Sequence, residues 1–99
     1  MYARHVTVHG SPNRIDKAVE SVRNNVLPVL QGCAGFKGQL FLIDRAKGEA
    51  IGISLWDTEE NMNASEDKVA AARQKTADQV GAGDAVEVDL YELPVFEIA

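Results

Sequence analysis

A chain of 99 residues with 45% hydrophobic and 25% charged side chains has the make-up of a single globular domain, not of a disordered or membrane-embedded segment. Its net charge of −5 argues against a nucleic-acid partner, whose phosphates need Lys/Arg patches. Cys33 is the only cysteine, which excludes an internal disulfide. No apolar run approaches the ~18 residues of a membrane span, and Met1 to Arg4 leads straight into a strand instead of a signal peptide, so the expectation is a cytoplasmic protein with no membrane partner. A chain this short buries a thin core, and oligomerisation would thicken it.

Tyr2 to His9 alternates Val6 and Val8 with His5, Thr7 and His9, the two-residue period of a strand. Gly10 ends it, and Ser11-Pro12 signals a helix start. Ile15, Ala18, Val19, Val22, Val26, Val29 and Leu30 then recur at the spacing of one apolar helix face. Pro28 predicts a kinked or irregular last turn. Phe36 to Asp44 is a strand with Phe36, Leu40 and Leu42 on one face and Phe41 and Ile43 on the other. After a turn at Arg45 to Gly48, a second strand from Glu49 to Trp56 carries Ile51, Ile53 and Leu55 opposite Gly52, Ser54 and Trp56. The small Gly52 and Ser54 leave room beside the indole, either as a packing accommodation or as the floor of a pocket.

Asp57 or Thr58 supplies a helix cap followed by the acidic pair Glu59 and Glu60. Ser65 gives a second cap signal, which predicts a one- or two-turn helix and then a longer one from about Ser65 to Val80. That helix has a weak stripe of small residues. Gly81 to Gly83 stops it, and Ala85 to Glu92 alternates as a fourth strand, with an extended tail after Pro94. After Lys75 there is no basic side chain, while Asp78, Asp84, Glu87, Asp89, Glu92 and Glu97 bring the last quarter to −6, leaving the rest near neutral. Such a strip is either a solvated edge or a docking surface for a basic partner.

The order β-α-β-β-α-β predicts an α+β, ferredoxin-like domain: a four-stranded antiparallel sheet with helices on one face. Strands two and three are apolar on both faces, so something must cover the helix-free side. A homodimer whose two sheets close into an α/β barrel does so. His5 and His9 share a face about 13 Å apart at ~3.3 Å per residue, too far to share one metal. They line or hydrogen-bond across the barrel, or make its interface pH-sensitive.

The run Gly35-Phe36-x-Gly38, the hairpin, and Leu55-Trp56-Asp57-Thr58-Glu59-Glu60-x-Met62 resemble the dimeric α/β-barrel superfamily and, within it, the antibiotic-biosynthesis-monooxygenase-like proteins. The resemblance covers nearly the whole chain in element order, and its specific motif spans about thirty residues. It implies a cofactor-free, metal-free oxygenase that deprotonates an electron-rich phenol and passes electrons to O₂, working in an apolar helix–sheet pocket. It is also consistent with haem-degrading relatives and with proteins of no known reaction. For haem cleavage the pattern is wrong: Arg4 stands near the expected strand-one asparagine, Ser65 at the second tryptophan, and the helix beyond has no histidine ligand.

Under the oxygenase resemblance the catalytic candidates are Arg4 or Arg73 as cationic stabiliser, Trp56 as wall, Asn61 as hydrogen-bond donor and Tyr91 or a strand-one histidine as proton handler. Trp56, Met62, Arg73 and Phe36 are the candidate substrate contacts, with a small aromatic or quinone-type ligand. Each has a plainer reading: Trp56 as a core residue, Arg73 as a solvated charge, Asn61 as part of a helix start. The other function class is a non-catalytic dimeric binding or stress-response module, supported by the lack of a coupled acid-base pair at recognisable spacing.

Overall fold

The structure, a computed structural model, describes residues 1–83 and 85–99; Asp84 of the acidic strip lies outside the described residues. Four strands form one antiparallel sheet: β1 (Tyr2–His9), β2 (Phe36–Asp44), β3 (Glu49–Trp56) and β4 (Val86–Glu92), in the spatial order β2-β3-β1-β4. The connections β1 to β2 and β3 to β4 are helical, which is the ferredoxin-like topology expected from the alternation of patterns. No helix among the described residues is long and apolar enough to cross a membrane.

The first connection opens with a 3₁₀ turn (Pro12–Arg14) and continues as α1 (Ile15–Ser21), a π-helical turn (Val22–Val26) and α2 (Leu27–Gln31). Pro28 has no N–H for Asn24 and its ring crowds that carbonyl. The widened turn sits immediately before it. The irregularity therefore falls one turn earlier than the sequence predicts, and the stretch after Pro28 is regular α-helix. Ser11 holds the N-cap position without a side-chain cap bond.

The second connection differs more. A single helix, α3, runs unbroken from Glu59 to Gln79, capped by Thr58, whose Oγ1 accepts from Asn61 N at 3.1 Å. The expected second start at Ser65 does not occur: its hydroxyl donates to the Met62 carbonyl of the preceding turn at 2.7 Å and is buried. A serine can bond back along its own helix as readily as it can cap a new one.

Registry sorts the strand residues. Arg4 pairs with Ser54, Val6 with Gly52 and Phe41 with Gly52, placing all of them on the helix-covered face. Leu40 and Leu42 oppose Ile53 and Ile51 on the helix-free face. Phe36 is the exception to the expected alternation. A bulge between Phe36 and Gly38 sets Phe36 against Trp56, because one extra residue turns the chain over. Phe36 thus packs with the helices and not beside Leu40. Gly35 just before it has φ 80°, and a Cβ there would collide with Asp57 and Asn61.

Two apolar clusters fill the helix–sheet layer. One gathers Val22, Val26, Leu30, Trp56, Met62 and Val69; the other gathers Val8, Ala18, Ala77 and Val80.

Candidate functional site

Arg4 is an arginine in the middle of a strand on the covered face, and its side chain is only 3% exposed. A buried guanidinium must be compensated. Its Nη2 donates to the Met62 carbonyl at 2.5 Å and to Ser65 Oγ at 2.6 Å. The guanidinium carbon lies 5.5 Å from the Trp56 ring centroid, within cation–π range. Its Nε is different: it is buried and makes no hydrogen bond, with Glu66 Oε1 3.5 Å away as an ion-pair neighbour only.

Glu66 is held from the other side by Arg73, two helical turns along α3. Arg73 Nη1 donates to Oε1 at 3.0 Å and Nη2 to Oε2, the bidentate geometry that matches guanidinium to carboxylate. One carboxylate therefore stands between two guanidinia, and the cluster carries a net +1. The Arg73 hydrogen bonds, with both arginine charges, hold the Glu66 carboxyl below its ordinary range against partial burial. Burial lowers the Arg4 pKa from its ordinary value; Glu66 opposes that shift and Arg73 adds to it. Arg4 nonetheless remains charged at neutral pH.

Arg4 and Arg73 face a cavity of about 60 Å³ between the sheet and the helices. Val22, Val26 and Leu30 supply one wall, Val69 and Phe41 another, and Gly52 keeps the floor low. Gln39 and Ser54 are the remaining polar lining groups. Ser54 Oγ accepts from Trp56 Nε1 at 2.9 Å, which leaves its own proton to donate. Outside lies a groove of about 450 Å³ between α1, the π-helical turn, β2 and Arg45. Val22, Gln39 and Phe41 line both spaces, so they form the partition between them. The π-helical turn is part of that partition, and such turns recur at functional sites. The inner cavity alone is small beside the roughly 300–1,000 Å³ of sites for drug-sized ligands, whereas the outer groove falls within that range.

The structure brings five of the seven candidate residues together. Arg4 and Arg73 line the cavity; Trp56 is fully buried beneath Arg4, Phe36 packs on it with ring centroids 5.6 Å apart, and Met62 offers its carbonyl. Trp56 does not reach the cavity wall. Asn61 sits outside, donating from its side chain to Asp57 Oδ1 at 2.9 Å beside the helix cap. Tyr91 is exposed, edge-on to His5 at 6.3 Å, away from the two arginines. Of the small run Ala70 to Ala72, Ala71 points to solvent, and Val69 and Arg73 face the cavity instead.

Three participants escape the sequence reading. Ser65 reads as a cap, when it and Glu66 both serve Arg4. Gln39 was findable: alternation alone puts it on the face of Phe41. Gly52 and Ser54 do line the cavity, as one of the two readings of those small residues expects.

No protein-family model matches the chain. An uncharacterized protein of Mycobacterium tuberculosis is 39% identical over 87 residues, 88% of this chain, and the chain spans about two-fifths of that relative's length, 39%. A protein of unknown function from Nitrosomonas europaea superposes with a TM-score of 0.78 at 15% identity, over 99% of this chain and 93% of its own. A monooxygenase of Streptomyces coelicolor, solved with nanaomycin D, superposes with a TM-score of 0.73 at 14% identity, over 99% and 92% of the two chains. One further antibiotic biosynthesis monooxygenase and two candidates for that activity share the same architecture. In its strand order, its helical layer and its near-complete superposition, the chain has the ferredoxin-like fold of these monooxygenases.

Proposed function

We propose that this chain is a small-molecule enzyme of the cofactor-independent monooxygenase type, holding an aromatic or quinone-type substrate between the helices and the sheet. The observation that carries this reading is Arg4: a buried cation with an unpartnered Nε, among the lining residues of a largely apolar cavity. An opposite charge at hydrogen-bonding distance favours the ionised form of a phenol, and the ionised form is the one that gives electrons to O₂. In the overall change, one oxygen atom replaces a ring hydrogen and becomes a carbonyl. The other oxygen leaves as water with the two hydrogens that the phenol loses. Arg4 and Arg73 stabilise the phenolate, Val26, Val69 and Phe41 confine the ring, and the groove gives the departing proton a route to water. The inner cavity takes only part of a ring, and the rest of the substrate extends past Val22 and Phe41 into the groove.

The test is oxygen uptake with a panel of one-ring phenols and quinols, read beside quinone formation, with Arg4→Met as the comparison protein. Uptake matched by quinone and lost in Arg4→Met is the expected result. Uptake no greater than that of Arg4→Met sinks the oxygenase reading.

One observation favours a second reading, a non-catalytic binding module. Among the described residues the cavity wall carries no histidine, tyrosine or carboxylate, so none of those side chains can shuttle a proton there. Tight ligand binding without oxygen uptake would establish that reading instead.

In either case we propose that the working unit is a homodimer closed through the helix-free sheet face. Leu40 and Leu42 are 46% and 47% exposed there beside Ile51 and Ile53, an apolar strip on a small domain. Sedimentation at micromolar concentration should give twice the chain mass for the wild type and the single-chain mass for Leu42→Asp. A wild-type single-chain mass contradicts the dimer.

A further inference from the structure

We propose that Glu66 is a replaceable counter-ion, and that the cavity takes a small aromatic oxyanion, a carboxylate or a phenolate, whose oxygens bond Arg4 Nε and Arg73 in its stead. The inference deepens the functional reading above and rests on it for the location of the ligand.

Hydrogen-bond capacity around the cavity points one way. Arg4 Nε–H is unpaired, Arg73 faces the space, Ser54 retains a hydroxyl proton, and Gln39 brings an amide N–H₂. These are donors in excess, two of them cationic, around walls of valine, leucine and phenylalanine. A group that satisfies them is an acceptor carrying negative charge, and a group that suits the walls is an apolar ring.

Glu66 supplies the charge without finishing the task. Its Oε1 stands 3.5 Å from Arg4 Nε without making a hydrogen bond, and Glu66 is not among the cavity-lining residues. It neutralises the arginines from beside the cavity. Its side chain is 41% exposed, so on release the carboxylate recovers water at little cost. Arg4, at 3% exposed, has no such exit. An anion entering the cavity can therefore displace the solvent-exposed partner of the fixed cation. Removing the Glu66 charge should then help the ligand, the opposite of what a purely structural ion pair would do.

Calorimetric titration of wild type and Glu66→Gln at pH 8 with benzoate, 4-nitrophenolate and neutral nitrobenzene tests this. A charge-assisted hydrogen bond corresponds to about tenfold or more in affinity, and Glu66→Gln should bind at least one of the two anions tighter by about that factor. The anion that gains identifies the headgroup. Nitrobenzene should bind both proteins equally. Anion binding that is unchanged or weaker in Glu66→Gln overturns the proposal, as does an equal gain for nitrobenzene. If Glu66→Gln does not fold, the Arg4 Nε–H resonance of the wild type decides: a shift on adding benzoate but not nitrobenzene supports the exchange, and no shift overturns it. Turnover is not needed for either readout. Anion binding without oxygen uptake would remove the oxygenase reading alone, and uptake without an effect of Glu66 would remove this proposal alone.

Discussion

Ser21, Asn25 and Thr76 make one polar cluster between the helices; Arg4, Ser65, Glu66 and Arg73 make another between helix and sheet. In the first, Ser21 and Thr76 hydroxyls bond at 2.7 Å, Asn25 donates to Ser21 at 3.1 Å, and Thr76 reaches the Ala72 carbonyl at 3.3 Å. Its buried members are satisfied, and none of the three lines the cavity beside Arg4. In the second, one buried nitrogen is left over, and it belongs to an arginine that lines a cavity. Buried polar groups in folded proteins nearly always find partners. A complete cluster is explained by holding α1 to α3, whereas an incomplete one points to a partner that is not part of the chain.

The contrast can be broken first at its support. Trp56→Ala removes the ring beneath Arg4 and the partner of Ser54, and should cost about 3–5 kcal/mol in chemical denaturation, as large buried aromatics do. Next, Thr76→Val leaves Ser21 short of a partner and should cost about 1–3 kcal/mol while leaving anion binding intact. Arg4→Met should show the reverse. Ser65 and the Met62 carbonyl keep their mutual bond, Arg73 keeps Glu66, and a buried orphan disappears, so stability should change by less than about 1 kcal/mol while ligand binding is lost. Equal losses of stability in the two variants would erase the distinction between the clusters.

The smallest effect is in acid. The folded-state pKa of Glu66 lies below its ordinary value, chiefly through the Arg73 hydrogen bonds. Its contribution is therefore complete above the ordinary glutamate pKa of ~4.3 and disappears as pH falls through the lowered folded value. The side chain is half in solvent, so screening keeps the effect small. Glu66→Gln should remove it, seen as a shallower fall of melting temperature below pH 5.

Much of this architecture is legible in the residues. Alternation in Tyr2 to His9 and in Glu49 to Trp56 sets the strand faces, and the helical spacing from Ile15 to Leu30 sets the first helical layer. What escapes is decided by tertiary contact. Phe36 changes face because of a bulge that no two-residue period reveals, and Ser65 bonds inward because Arg4, sixty-one positions away, needs it there. Arg4 and Arg73 are readable as candidates only through the family resemblance, and Glu66 between them only once α3 is a single helix. Asn61 has the chemistry of a site residue but spends its amide on the Asp57 carboxylate.

The most direct measurement is a crystal structure of the chain grown with benzoate. The account expects the ring against Val26, Val69 and Phe41, a carboxylate oxygen within hydrogen-bonding distance of Arg4 Nε, and Glu66 turned out to solvent. A benzoate bound elsewhere, or one bound there with Glu66 still gripped between the two arginines, would contradict it.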